Sequence, residues 1–221
     1  MTGQPLAVVV LISGGGTNLQ AIIDQSGPDL PIDIHAVISN RPGVEGLQRA
    51  ADAGIETRVL EHTRFADRED YDRALMALID GFTPGLVVLA GFMRILTTGF
   101  VRHYAGRLLN IHPSLLPKYR GLHTHQRALD AGDTLHGASV HFVTDELDGG
   151  PLIVQAQVRI LPGDDARRLA DRVLEKEHQI YPLAIRWFAE RRLKLDEEGH
   201  VNLDDEQLAG PVVFAPDATI G

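Results

Sequence analysis

Short apolar runs alternate along the first half of the chain with segments in which apolar residues recur every three or four positions. Continuous aliphatic runs are typical of strands covered on both faces, and the longer spacing is typical of amphipathic helices. The predicted strands cover residues 7–12, 32–39, 56–60 and 86–90. The intervening helices begin near Leu19, Val44 and Asp67. This alternation predicts an α/β fold, a Rossmann-like open and mostly parallel sheet with helices on both faces.

The pattern changes in the second half of the chain. Alternating residues at 137–144 and an apolar run at 152–160 predict antiparallel strands joined as a hairpin. Further helices are predicted at 98–104, at 123–131 and from 164 or 165 to about 192. We expect one domain over residues 1–195, followed by a tail, 196–221, to which the sequence assigns no role.

The composition indicates a globular protein that acts on small molecules. The 221 residues carry a formal net charge of -9, and a broad nucleic-acid footprint would need clustered basic residues instead. No apolar run approaches the length of a membrane span, and the N-terminus lacks the basic residues that open a signal peptide. We therefore expect a cytoplasmic protein that binds no membrane. The absence of cysteine excludes disulfides, thiolate nucleophiles and cysteine-based zinc sites.

A glycine-rich turn, Ser13-Gly14-Gly15-Gly16-Thr17-Asn18, joins the first predicted strand to the first helix. The backbone amides of such a turn can bind a phosphate at the helix N-terminus. The spacing matches neither the dinucleotide fingerprint nor the Walker loop. A short strand-to-helix connection also uses glycine for its geometry when nothing binds there. The residues alone support a phosphate site and a simple turn equally well.

The most distinctive polar residues lie at the strand end Asn110-Ile111-His112. Residues two apart in a strand lie on the same face, so the Asn110 amide and the His112 imidazole are expected to point the same way. Such a pair suits chemistry at a carbonyl, in which an amide stabilises an oxyanion and an imidazole transfers protons. A strand end with a turn-forming asparagine and a structural histidine gives the same pattern, and it is the commoner case.

Two loops supply further candidate groups. The segment 91–96 is unusually apolar for a loop, so it either lines a pocket for a flat ring or belongs to the core. The segment 144–151 contains three carboxylates and two glycines, and it is either a solvated turn or the frame for one catalytic acid.

Together these segments closely resemble the phosphoribosylglycinamide formyltransferase family, whose members formylate glycinamide ribonucleotide in purine biosynthesis. The resemblance is carried by residues 10–22, 89–96 and 110–117. It continues through His136-Gly137 and residues 139–144 to Asp148-Gly149-Gly150-Pro151, so that it covers roughly residues 6–192.

The resemblance implies a role for each segment. The catalytic residues correspond to Asn110, His112 and Asp148. The positions that bind the nucleotide correspond to Gly16, Thr17, Asn18 and Glu177, the last of which would bind the ribose hydroxyls. The folate-binding positions correspond to Arg68, Met93, Arg94, Ile95, Leu96 and Asn110. The N-terminal half of the domain would thus bind the phosphate, and the C-terminal half would supply the catalytic loop.

The implied reaction requires no covalent enzyme intermediate and no metal. The amine of glycinamide ribonucleotide attacks the formyl carbon of the co-substrate 10-formyltetrahydrofolate, while Asn110 and protonated His112 hold the oxyanion. Asp148 favours the imidazolium and accepts the amine proton through water. The expected partners are these two small molecules, with neither nucleic acid nor membrane, and the expected state is a monomer or homodimer.

Other functions fit parts of the pattern. Formyltetrahydrofolate hydrolase and methionyl-tRNA formyltransferase are similar in the Asn, His, Asp set, although the first has an added N-terminal domain and the second an added C-terminal one. A metal-dependent hydrolase would use His112, His123, His125 and Asp148. A non-catalytic binder of phosphorylated ligands would need the glycine loop and none of the catalytic residues.

Overall fold

The structure, a computed structural model, describes residues 4–220. The chain divides into two compact units between Asn110 and Ile111. This boundary falls inside a strand, Leu108–His112.

Strands and helices alternate in the first unit, as the sequence predicts. The strands are β1 (Leu6–Ile12), β2 (Ile32–Ser39), β3 (Thr57–Val59), β4 (Leu86–Leu89) and β5 (Leu108–His112), whose last two residues belong to the second unit. The helices are α1 (Thr17–Gln25), α2 (Glu45–Asp52), α3 (Arg68–Asp80) and α4 (Thr98–His103), and a short 3-10 helix lies at His62–Arg64.

The strands of this unit pair in parallel in the order β3-β2-β1-β4-β5. The chain moves outward from β1 to β3 and then returns to β4 and β5. Because parallel crossovers are right-handed, this reversal puts α1 and α2 on one face and α3 and α4 on the other. The helix contacts agree, since α1 packs with α2 and α3 with α4. Residues 8–12 of β1 are fully buried, as expected for a strand covered on both faces. The predicted fold class is confirmed.

The second unit contains the predicted antiparallel hairpin. Its strands are β6 (Leu135–Phe142) and β7 (Leu152–Arg159), and the register shifts between Val140 and His141. The helices are α5 (Thr124–Asp130) and α6 (Ala166–Ala189). Asp165 caps α6 by accepting a hydrogen bond from the Arg168 amide over 2.8 Å, which confirms the predicted start of the helix. The helix ends three residues before the predicted Arg192, and it packs against β6 and β7.

The segment after α6 forms short strands. These are β8 (Leu193–Leu195), β9 (Val201–Leu203), β10 (Glu206–Gln207) and β11 (Val212–Phe214). The first three make a small antiparallel sheet, whereas β11 pairs in parallel with β7. The apolar residues near the C-terminus therefore extend the sheet of the second unit. In residues 4–220, no helix has the length and apolar character needed to cross a membrane.

Candidate active site

His112 is the last residue of β5 and is 6% exposed. Its Nε2 lies 2.9 Å from the carbonyl oxygen of Tyr119, and because a carbonyl can only accept, Nε2 must carry a hydrogen. Its Nδ1 lies 3.5 Å from Oδ2 of Asp148. The Tyr119 carbonyl thus fixes the hydrogen on Nε2, and the Asp148 carboxylate faces the other ring nitrogen.

Asp148 lies in the loop between β6 and β7, and its side chain is 9% exposed. Its φ of 48° is in the left-handed region, which Asp and Asn adopt more readily than other side-chain-bearing residues. The Oδ2 atom that faces His112 also accepts a hydrogen bond from the Gly121 amide over 2.8 Å. A backbone donor thus fixes the carboxylate in front of the imidazole.

The second glycine after Asp148 is required by a close backbone contact. A Cβ on Gly150 would lie 1.8 Å from the carbonyl oxygen of Phe142 in β6. A Cβ on Gly149 would meet only the flexible Glu146 side chain, at 2.5 Å. The loop therefore turns back against its own hairpin, which sets the position from which Asp148 reaches His112.

A buried polar network holds the chain that follows His112. Ser139 Oγ donates to the Ser114 carbonyl over 2.6 Å and accepts from the Leu116 amide over 3.1 Å. Gln155 Nε2 donates to the Leu116 carbonyl over 2.8 Å and also lies 2.9 Å from Ser139 Oγ. Because Ser139 and Gln155 belong to β6 and β7, the hairpin fixes the turn that contains Pro113 and Pro117.

Three other histidines of the second unit are held neutral by burial. Nε2 of His136 lies 3.1 Å from Nδ1 of His125. Burial, reinforced by His125, lowers the pKa of His136 to about 4, and burial likewise lowers the pKa values of His125 and His141. His123 is exposed and precedes α5 in a left-handed conformation. Across residues 4–220, no three His, Cys, Asp or Glu side chains are grouped so that they could hold a metal ion, so the metal-dependent alternative gains no support.

In the first unit, the candidate phosphate residues surround the start of α1. Gly16 precedes the helix with φ 71°, and Thr17 and Asn18 are its first two residues. A Cβ on Gly16 would lie 2.6 Å from Cα of Gly46 in α2. Glycine is therefore needed at position 16 both for its conformation and for this close approach.

The candidate folate residues other than Asn110 lie on α3 and on the loop between β4 and α4. Arg68 is the first residue of α3 and is exposed. Met93 is 63% exposed and Ile95 is 56% exposed, whereas Phe92 is buried. The sequence left open whether these apolar residues line a pocket or belong to the core. Phe92 belongs to the core, whereas Met93 and Ile95 are exposed and free to contact a ligand.

Arg94 is oriented by an aromatic ring. Its guanidinium carbon lies 4.5 Å from the centre of the Tyr71 ring, a cation–π distance. Burial raises the pKa of the Tyr71 hydroxyl. This stacking fixes the Arg94 side chain between the exposed Met93 and Ile95.

The two remaining candidates, Asn110 and Glu177, lie on different elements. Asn110 is half-buried in β5, opposite Leu89 of β4 and two residues before His112, so strand geometry puts the two side chains on one side of β5. Glu177 is 8% exposed within α6.

Sequence reasoning did not identify the contacts of Ser13 between two candidate loops. Its hydroxyl donates to Oδ1 of Asn40 over 2.5 Å and accepts from the Met93 amide over 2.8 Å. Ser13 thereby joins the start of the glycine loop to the start of the 93–96 loop. The available signal was a serine at the end of a buried strand, where an unpaired hydroxyl would be costly.

Comparison with known proteins identifies relatives along almost the whole chain. A family model described as formyl transferase matches residues 6–185. The chain is 56% identical over 211 residues to the phosphoribosylglycinamide formyltransferase of Escherichia coli K12, with 95% of the chain and 99% of the relative covered. It is 50% identical over 192 residues to the protein of the same name from Haemophilus influenzae, with 86% and 90% covered. Among solved structures, the Coxiella burnetii phosphoribosylglycinamide formyltransferase in complex with CHES is 54% identical, with a TM-score of 0.91 and 95% and 99% coverage.

Proposed function

Because the chain belongs to the formyl transferase family, we propose that it transfers the formyl group of 10-formyltetrahydrofolate to the amine of N1-(5-phospho-D-ribosyl)glycinamide. The products are formylglycinamide ribonucleotide and tetrahydrofolate. The protein is a one-carbon transferase of purine biosynthesis, and its family uses a folate-derived formyl donor. The observation that supports this chemistry best is His112, held between the Tyr119 carbonyl and the Asp148 carboxylate.

The catalytic roles follow from the donor groups. The substrate amine forms a bond to the formyl carbon, and the formyl oxygen becomes an oxyanion. Asn110 donates a hydrogen bond to this oxygen, and the His112 imidazolium stabilises it through its positive charge, because its two ring nitrogens face Tyr119 and Asp148. Asp148 keeps His112 charged and receives the amine proton through water. When the oxyanion collapses, the bond from the formyl carbon to the folate nitrogen breaks, and that nitrogen takes up, through water, the proton that Asp148 received from the amine.

The binding roles rest on local structure and on resemblance. The amides at the start of α1, with the positive end of the helix dipole, suit the substrate phosphate at Gly16, Thr17 and Asn18. We assign the ribose hydroxyls to Glu177. The exposed apolar side chains of the 93–96 loop suit the flat ring of the folate, with Arg68 nearby in the family pattern.

The partners follow from this assignment. They are two small molecules, without nucleic acid or membrane, and the enzyme is assigned to the cytoplasm as a monomer or homodimer. The domain boundary at residue 195 stays a prediction.

One experiment separates the proposed transferase from the two alternatives that share its features. Purified protein is mixed with 10-formyltetrahydrofolate, with and without glycinamide ribonucleotide, and folate release is followed by absorbance. The proposal predicts release only when the ribonucleotide is present. Equal release without it would identify a hydrolase, and no release in either case would identify a non-catalytic binder.

A further inference from the structure

The glycine loop between β1 and α1 is tied to α2 by two hydrogen bonds. The Gly46 amide donates to the Gly14 carbonyl over 3.1 Å. The Nε of Arg49 donates to the Gly15 carbonyl over 2.8 Å. Two successive carbonyls of the loop are thus turned toward α2.

This contact determines where the loop amides point. In a planar trans peptide, the carbonyl of one residue and the N–H of the next point in opposite directions. Turning the Gly14 and Gly15 carbonyls toward α2 therefore turns the Gly15 and Gly16 amides away from it. Successive amides aimed to one side, at the N-terminus of a helix, form a concave binding site for an anion.

At the contact between Gly46 and Gly14 there is no space for a side chain, so a side chain can hold the loop only at the next carbonyl, that of Gly15. A Cβ on Gly46 would lie 3.0 Å from the Gly14 carbonyl oxygen and 2.6 Å from Cδ1 of Ile12. The backbone of α2 therefore reaches the first carbonyl directly. The second carbonyl is reached by Arg49, three residues further along the same helix.

The charge of Arg49 is already engaged by its neighbours. Its Nη2 pairs with Oε1 of Glu45 over 2.5 Å, and its Nη1 lies 3.4 Å from Oε1 of Gln20. Since a carboxylate four residues away offsets the guanidinium, its bond to the loop carbonyl, rather than a free positive charge, is what it contributes to the loop.

We propose that Arg49 is a positioning residue, which holds the glycine loop in the conformation that binds the substrate phosphate. The proposal rests on the proposed function of this loop. It assigns to Arg49 an effect on affinity for the ribonucleotide and not on the chemical step, because Arg49 acts on the phosphate end of the substrate through the loop.

The test compares kcat and KM for the ribonucleotide in wild type, Arg49→Ala, Arg49→Lys and two controls. Arg49→Ala should raise KM about tenfold, the usual scale for one charge-assisted hydrogen bond, with kcat within twofold of wild type. Arg49→Lys keeps a charged donor and should recover most of the affinity. Gln48→Ala changes the neighbouring residue of α2 and should leave both constants unchanged.

The second control, Glu45→Gln, removes the ion-pair partner of Arg49 and keeps the donor of the hydrogen bond to Gly15. The proposal predicts that KM does not rise, because the bond to the loop is kept and a negative charge near Gly15 is lost. A KM raised about tenfold by Glu45→Gln would show that the ion pair, not the bond to Gly15, is what matters, and an unchanged KM for Arg49→Ala would remove Arg49 from the phosphate site. Either result overturns the proposal.

A parallel measurement keeps the failure of this inference apart from failure of the proposed function. If wild type uses the dephosphorylated riboside as well as the ribonucleotide, the loop binds no phosphate, and both the loop assignment and the role of Arg49 are wrong. If wild type prefers the ribonucleotide strongly and Arg49→Ala keeps that full preference, only the role of Arg49 is wrong.

Discussion

Replacing Asp148 by Asn tests the pairing on which the proposed chemistry depends. The change removes the carboxylate charge and nearly preserves the shape of the side chain. Asn tolerates the left-handed backbone at this position, and its amide oxygen can still accept the hydrogen bond from Gly121. The fold of the loop should therefore survive, and the loss should report the charge.

The expected magnitude follows from the distance between the charges. Nδ1 of His112 and Oδ2 of Asp148 are 3.5 Å apart. With an effective dielectric constant of about 20, Coulomb's law gives roughly 5 kcal/mol at this separation. Allowing that relaxation and solvent recover about half of this energy, about 2–3 kcal/mol is lost, or on the order of 10²-fold in turnover.

Steady-state kinetics check this expectation. They should show kcat lowered about 10²-fold while KM for the folate changes little. Asp145→Asn is the matched control, because it makes the same change at an exposed position of the same loop and should behave as wild type. Wild-type turnover in Asp148→Asn would refute the reasoning.

Three further changes test other parts of the structure. Asn110→Ala should fold normally and lose about 10²-fold in kcat, the usual cost of one oxyanion donor, and normal turnover would leave Asn110 a strand-end residue. Gly150→Ala should destabilise the protein by about 3 kcal/mol in chemical denaturation, because its Cβ would lie 1.8 Å from the Phe142 carbonyl oxygen. Gly210→Ala is the control, because its Cβ would have nothing within 4 Å. Equal stability of the two variants would contradict the contact at Gly150. The pKa of His136 is lowered from 6.5 to about 4, so the unfolded chain binds a proton that the folded chain does not. Stability should therefore fall by up to about 3 kcal/mol as pH drops from 6.5 to 4. His136→Gln should reduce this dependence on pH only in part, because the pKa values of His125 and His141 are also lowered. An unchanged dependence on pH would show that His136 is not the group responsible.

The sequence predicted the parts of the fold that have strong periodicity. Buried parallel strands read as continuous apolar runs, and β1, β2 and β4 lie within a residue or two of their predicted positions. The short strands near the C-terminus were not predicted, because two or three residues carry no period of their own. Only the pairing of β11 with β7 makes Val212–Phe214 a strand.

The candidate site also has parts that the sequence predicts and parts that it does not. A strand period is enough to put Asn110 and His112 on one side of β5. The pairing of His112 with Asp148, 36 positions away, depends on the hairpin and its glycines, which the residue pattern alone leaves open. The Tyr119 carbonyl and the Gly121 amide are backbone groups, so their contacts leave no trace in residue type.

The formyl group itself provides the decisive measurement. Donor folate labelled with ¹³C in the formyl carbon is incubated with the enzyme and glycinamide ribonucleotide, and the product is analysed by NMR. Direct transfer predicts that the label appears in formylglycinamide ribonucleotide, one equivalent for each tetrahydrofolate released. Label recovered as formate would show that water accepts the formyl group, and would contradict the proposed transfer.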